Sequence, residues 1–165
     1  MISLTEPQVR SCFVTLTKGE AGRMNVPRSL ADVSWTDLDY LGWRDPKSPA
    51  RGYLVAEVAG VVRGVALRAP DPTAGAGRKN LCSLCLTPHT GGGVGLMVAS
   101  RAGRAGQQGH SVGTYICADL ACSLYVRHLR ETGTPRMHET LTVEQKVDRL
   151  VVGLEAFVAR VMRPR

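Results

Sequence analysis

The clearest hydrophobic pattern in the chain lies near its C-terminal end. Between residues 142 and 162, apolar residues recur at spacings of three and four, which places them on one face of a helix. Thr142 is followed three residues later by Gln145, the arrangement of a capping box at a helix start. The pattern therefore predicts one long amphipathic helix. Its apolar stripe consists of Val143, Val147, Leu150, Val151, Leu154, Phe157, Val158 and Val161.

The N-terminal part of the chain has shorter patterns. Apolar residues at helical spacing predict a helix within residues 6–17. Residues 52–58 and 61–68 are rich in valine and other apolar residues, and Gly60 between them is a turn signal, so they predict a β-hairpin. Three prolines lie between residues 25 and 49, and residues 42–46 are predicted to form a loop or turn.

Proline, glycine and alanine dominate residues 70–80, a composition typical of a flexible linker. We therefore place a boundary near residue 75, between an N-terminal helix and β-hairpin subdomain (residues 1–75) and a second domain (residues 76–165). In the second domain, residues 94–100 and 112–116 are predicted strands, joined by a mobile basic loop over residues 101–111. Residues 119–130 are predicted to form a helix.

Composition and charge narrow the function classes. The 165 residues are 44% hydrophobic and 21% charged, which is typical of a folded protein. The net charge of +7 favours an anionic partner, although a solvated basic surface without a partner explains the charge as well. No stretch approaches the roughly 18 apolar residues of a membrane span, and no secretion signal is visible. We expect a cytoplasmic protein that does not contact membranes.

Four of the five cysteines form two close pairs, Cys82-x2-Cys85 and Cys117-x4-Cys122. Two intervening residues let both thiolates of a tight turn face one zinc ion. Residues five apart on a regular helix point about 140° away from each other, so the second pair cannot lie within one helix. We expect Cys117 to end a strand, Asp119 to cap the next helix and Cys122 to lie in its first turn, where the positive helix end favours a thiolate.

The order of knuckle, hairpin and helix start predicts an α+β treble-clef zinc finger, packed with the N-terminal region and the C-terminal helix. There are three alternatives to zinc. Two disulfides would need an oxidising compartment, and a Cys-x-x-Cys redox pair would leave Cys117 and Cys122 without a role. An iron–sulfur cluster also takes four thiolates, but the tight turn and the helix start favour zinc. Four cysteines close the coordination shell of one structural zinc, so hydrolysis at the ion is not available. His89 follows Cys85 closely and could replace a cysteine as ligand, but with four cysteines available we expect it at the surface. We predict a binding module and not an enzyme, with no small-molecule substrate.

The sequence around the second pair, TYICADLACSLYVR at residues 114–127, resembles the elongation factor G-binding proteins of the fusidic-acid-resistance type. LGWRDP at residues 41–46 and the first cysteine pair are similar to the same family. The resemblance implies a bacterial, non-enzymatic zinc-finger protein that binds elongation factor G and releases it from the ribosome stalled by fusidic acid. It also implies partner contacts from the zinc-finger face. Tyr115 matches a contact tyrosine of the family, whereas Ser83 stands where the family has an aromatic residue.

An RNA- or ribosome-binding zinc module, with rRNA as one possible partner, is the second interpretation. It would use arginine and lysine side chains on phosphate groups. A thiol oxidoreductase is a third class, which would need an accessible Cys82. The candidate partner-binding residues across the first two interpretations are Tyr115, Ser83, Arg78, Lys79, Arg101, Arg104 and Arg127.

Overall fold

The computed structural model describes residues 1–70, 80–135 and 137–163. Within them, five strands form one antiparallel sheet and two short strands pair beside the first cysteine pair. The strands are β1 (Tyr40–Asp45), β2 (Ser48–Val58), β3 (Val61–Arg68), β4 (Asn80–Leu81), β5 (Pro88–His89), β6 (Val94–Ser100) and β7 (Ser111–Cys117). The helices are α1 (Glu6–Ser11), α2 (Lys18–Arg23), α3 (Gly103–Gln107), α4 (Cys122–Val126) and α5 (Val143–Met162), with 3-10 turns at Leu30–Asp32 and Trp35–Asp37.

The predicted hairpin is confirmed as β2 and β3. Its two-residue turn consists of Ala59 and Gly60, both with positive φ (51° and 75°), as in the turns that match the twist of paired strands. Val58 pairs with Val61 directly beside the turn. Strand β2 begins at Ser48, four residues before the predicted start, because its first residues pair with the preceding strand and the end of β3.

The prediction of a loop over residues 42–46 is wrong, because most of this segment belongs to β1. Tyr40, Leu41, Trp43 and Asp45 are buried, so the strand is covered on both faces. The register with β2 shifts between Arg44 and Asp45, which marks a bulge before the proline. Gly42 therefore marks a close approach between two parts of the backbone, and Pro46 marks the end of the strand. Neither residue indicates a loop here.

Gly42 is the residue at which β1 contacts the second predicted domain (residues 76–165). A Cβ atom at Gly42 would lie 2.6 Å from Leu120 Cβ and 2.7 Å from the Leu120 carbonyl oxygen. Leu120 itself has a φ of 59°, in the left-handed region that a non-glycine residue seldom adopts. The backbone of β1 and the turn between the last two cysteines thus pack at a distance that only glycine allows.

Gly42→Ala is expected to lower the free energy of unfolding by about 1–3 kcal/mol, the usual cost of inserting a methyl group into a filled space. Urea unfolding followed by circular dichroism measures the change. Gly22→Ala is the matched control, since a Cβ there meets nothing within 4 Å and alanine suits the helix. Equal unfolding free energies for wild type and Gly42→Ala would contradict the close packing.

Helices cover the two faces of the sheet unequally. The long helix α5, which starts with the predicted capping box, packs one face with Leu150, Leu154 and Phe157. The N-terminal segment covers the other face over the first three strands, where Phe13 lies edge-on to Trp43 and Tyr53. The sequence prediction of one N-terminal helix is only partly right. The chain leaves α1 to form a bridge to β3, and a second capping box starts α2.

The sheet joins both predicted subdomains, because β3 pairs with β6 through Arg68 and Val98. The larger core combines residues of β1 to β3 with the four cysteines and α5. The predicted boundary near residue 75 and the linker lie outside the described residues, so the division into two domains stays a prediction. Among the described residues, none of the helices combines the length and the apolar character needed to cross a bilayer.

The two strands predicted in residues 76–165 are confirmed. The first spans residues 94–100 as predicted, and the second, predicted at 112–116, has one more residue at each end. The connection between them is not simply a loop, since it contains the short helix α3, whose Ala105 is buried. Ala102 N donates a hydrogen bond to the Val161 carbonyl (2.9 Å), which ties this connection to the end of α5. The helix predicted over residues 119–130 is shorter, at Cys122–Val126.

Candidate metal centre

Cys82, Cys85, Cys117 and Cys122 bring four sulfur atoms together in the core. All four side chains are buried, and their Sγ atoms lie within 4.8 Å of one another. The Sγ–Sγ distances are 3.7 Å between Cys82 and Cys122 and 3.4 Å between Cys85 and Cys117. Tetrahedral zinc with Zn–S bonds of about 2.3 Å separates its sulfur ligands by about 3.8 Å. The thiols therefore have the arrangement that one zinc ion requires.

The first pair is held by a tight turn between β4 and β5. The backbone amides of Leu84 and Cys85 donate to Cys82 Sγ at 3.4 Å and 3.5 Å. Leu86 has a φ of 52°, which reverses the chain just after the second ligand. Amides that donate to a sulfur favour its ionised form. The turn therefore both orients Cys82 Sγ and stabilises it as a thiolate.

The second pair lies where the sequence predicted it, with Cys117 as the last residue of β7 and Cys122 as the first residue of α4. The cap differs from the prediction, because the N-cap residue is Ala121 and not Asp119. Asp119 lies two residues earlier, where its carboxylate accepts from Ala121 N (3.1 Å) and from the Tyr125 hydroxyl (2.8 Å). It therefore shapes the turn between the ligands instead of capping the helix directly.

Ionisation of the four thiols depends on their neighbours. Hydrogen bonding with Cys117, and then with Cys122 and Cys85, lowers the pKa of the Cys82 thiol. Hydrogen bonds with Cys122 and the other two raise the pKa of the Cys117 thiol. Four buried thiols this close do not all ionise without a cation among them, because like charges in a low-dielectric interior repel strongly. Zinc binding is thus coupled to proton release.

His89 is a correction to the expectation of a surface histidine. Its side chain is 5% exposed, its Nε2 lies 3.3 Å from Cys117 Sγ, and its ring lies edge-on to Tyr125. Burial lowers the pKa of His89 and favours the neutral imidazole. Protonated on Nε2, this imidazole donates to the sulfur without taking a coordination position. The sequence offered one signal, the position of His89 four residues after Cys85.

Segment 39–44 holds the second cysteine pair from outside. Arg127 forms a bidentate ion pair with Asp39, at 2.6 Å and 2.7 Å. Arg44 Nη1 donates to the carbonyl oxygen of Ala118 (2.9 Å), and Asp39 N donates to Ser123 Oγ (3.0 Å). The two regions that carry the family resemblance, residues 41–46 and 114–127, are therefore in direct contact.

Two of the candidate partner-binding residues lie together. Tyr115 is 55% exposed, Ser83 is also exposed, and Ser83 N donates to the Tyr115 carbonyl oxygen at 2.7 Å. Arg101 and Arg104 lie at the opposite end of the β6–β7 hairpin from the cysteines. Arg127 is engaged with Asp39. Arg78 and Lys79 fall outside the described residues, and a contact with a partner stays a prediction for every residue of this set.

Comparison with known proteins supports the geometry. A family model described as FBP C-terminal treble-clef zinc-finger matches residues 8–161. No curated protein and no solved structure matches the chain. The match confirms the family resemblance and the α+β treble-clef fold, and together with the clustered thiols it assigns the centre to one structural zinc ion. The chain belongs to the family of FBP C-terminal treble-clef zinc-finger proteins.

Proposed function

We propose that this protein is a cytoplasmic, non-catalytic zinc-finger protein that binds elongation factor G and promotes its release from the ribosome. The family and the similarity at residues 114–127 support this function. The observation that carries it is the exposed Tyr115, which lies beside the turn that holds Cys82 and Cys85. Tyr115 occupies the position that the resemblance assigns to partner contact. Four cysteines for one zinc leave no coordination position for water, which supports a binding role over catalysis.

The surface around Tyr115 has the character of a protein contact. Tyr115 pairs across the hairpin with Leu96, which is 42% exposed, so an aromatic and an aliphatic side chain lie side by side. The hydrogen bond from Ser83 holds the backbone of Tyr115, so the backbone of this residue needs little ordering on binding. Tyrosines on rigid surfaces are frequent among the residues that dominate interface energetics.

Tyr115→Ala is expected to weaken binding to elongation factor G about tenfold or more, as for a central interface tyrosine. Isothermal titration of the purified, zinc-loaded proteins measures the dissociation constant. Val152→Ala is the control, because Val152 on α5 is also a large, exposed hydrophobic residue. The proposal is contradicted if the wild type does not bind at micromolar concentration, or if Tyr115→Ala binds as tightly as Val152→Ala.

A further inference from the structure

Among the described residues, no helix lies over one part of the sheet. The N-terminal segment covers the outer face of β1 to β3, but the same face of β6 and β7 is open to solvent. Three cross-strand pairs form this open face, and their residues are exposed or half-buried. The pairs are Leu96 with Tyr115, Val98 with Gly113, and Ser100 with Ser111.

Two arginines lie at the border between the covered and the open parts of this face. Arg51 on β2 and Arg68 on β3 are direct cross-strand partners, so both side chains leave the sheet on the same side. Arg68 in turn pairs with Val98 of the open face. Like charges directly opposite each other destabilise a strand pair. Among the described residues, neither guanidinium has a carboxylate within ion-pair distance.

A groove runs along these arginines. A cavity of about 410 Å³, lined by Arg51, Arg68 and the hydroxyls of Ser48, Ser100 and Ser111, adjoins a second cavity of about 380 Å³ that also contains Arg51. The second cavity adds two more cationic side chains, Arg23 and Lys47.

The two carboxylates of the groove already have partners. The carboxylate of Glu20 accepts from the backbone N and the hydroxyl of Thr17. The carboxylate of Asp45 accepts from Asn25 and from Lys47 N. Arg51 also interacts with the Tyr53 hydroxyl, a neutral group. The partners of the two carboxylates are uncharged, so both carboxylates keep their charge, and Glu20 also attracts Arg23 and Arg51 electrostatically. Four cationic side chains against two carboxylates still leave the groove with a net positive charge.

We infer that this groove and the adjoining open sheet face bind single-stranded RNA. Phosphate oxygens accept hydrogen bonds from guanidinium groups and from hydroxyls. An anion bound between Arg51 and Arg68 would also offset the repulsion between these two side chains. An open antiparallel sheet with an exposed aromatic residue offers a surface on which bases stack, and Tyr115 and Leu96 supply it. Four cationic side chains and three serines spread over two adjoining cavities favour a chain of phosphates over a single carboxylate.

A fluorescein-labelled decamer of uridine, titrated with zinc-loaded protein and followed by anisotropy, tests the inference. The double variant Arg51→Gln/Arg68→Gln is expected to bind about tenfold more weakly. The slope of log affinity against log salt should become shallower by about 1.4, since each phosphate contact on a single strand contributes about 0.7. Arg63→Gln is the matched control, because Arg63 lies on β3 but faces the other side of the sheet, and it should bind nearly as the wild type does.

Thermal unfolding of the same variants separates binding from folding. Removal of either arginine relieves a like-charge pair, so the melting temperature should stay the same or rise. A lower melting temperature would show that the arginines are structural and would overturn the inference. So would absent binding of the decamer to the wild type, equal affinity of the double variant and Arg63→Gln, or equally strong competition by ATP.

Loss of elongation factor G binding in the double variant with unchanged decamer binding would also overturn the inference, by assigning the groove to a protein. The RNA site does not depend on the proposed function. Tyr115 belongs to both proposed surfaces, so Tyr115→Ala should weaken both interactions, whereas the arginine variants leave Tyr115 in place and test the RNA site alone. The two proposals can therefore fail separately.

Discussion

Cys122→Ser is expected to release zinc and to unfold the zinc finger. The Cys122 sulfur is one of four ligands, and its side chain is fully buried in the larger core. Binding of a structural zinc contributes about 10–16 kcal/mol in small zinc modules, as much as the whole stability of a typical domain. The same core contains Leu54 and Val65 of the β2–β3 hairpin, so unfolding should spread beyond residues 76–165. Zinc content by mass spectrometry and far-ultraviolet circular dichroism measure both effects.

Cys12→Ser is the control for the metal assignment, because Cys12 is the one cysteine outside the cluster. Burial raises the pKa of its thiol to about 11, so it remains protonated at neutral pH. This variant should retain one zinc per chain. Addition of a strong chelator to the wild type should reproduce the Cys122→Ser state. If Cys122→Ser keeps its zinc and its melting temperature, the ligand assignment is wrong.

Phe157→Ala is expected to lower the free energy of unfolding by about 3–5 kcal/mol, the range for truncating a large core side chain. Phe157 is 0% exposed and lies in the middle of the face by which α5 packs on the sheet and the cysteines. The cavity cannot collapse easily, since Leu154 and Val158 beside it are also buried. Urea unfolding of the zinc-loaded protein measures the difference.

Val152→Ala is the matched control for that experiment, because Val152 lies on the same helix with 66% of its surface exposed. It should change the free energy of unfolding by less than about 0.5 kcal/mol. Similar unfolding free energies for Phe157→Ala and Val152→Ala would mean that α5 does not pack on the sheet through this face.

Local patterns in the sequence were sufficient for several elements. The stripe at residues 142–162, with Thr142 and Gln145 at its start, predicts α5 because helical spacing and capping involve neighbours along the chain. The valine-rich segments around Gly60 predict the β2–β3 hairpin for the same reason. The spacing of the cysteines predicts the metal centre, because a chelating turn and a helix start restrict which thiols can meet.

Contacts between distant segments were decided only by the tertiary structure. Gly42 suggests a turn in the sequence, but the approach of Leu120 makes it part of a buried strand. His89 suggests a surface residue, but the packing of Tyr125 and Cys117 buries it.

The ion pair between Asp39 and Arg127 joins residues 88 positions apart, so no local pattern predicts it. The Arg51–Arg68 pair is a matter of register, which is set across the whole hairpin. The sequence by itself therefore determined the zinc centre, the β2–β3 hairpin, the strands β6 and β7, and the long helix. The tertiary structure decided which of their surfaces remain free to bind, because burial and register depend on residues that are far apart in the chain.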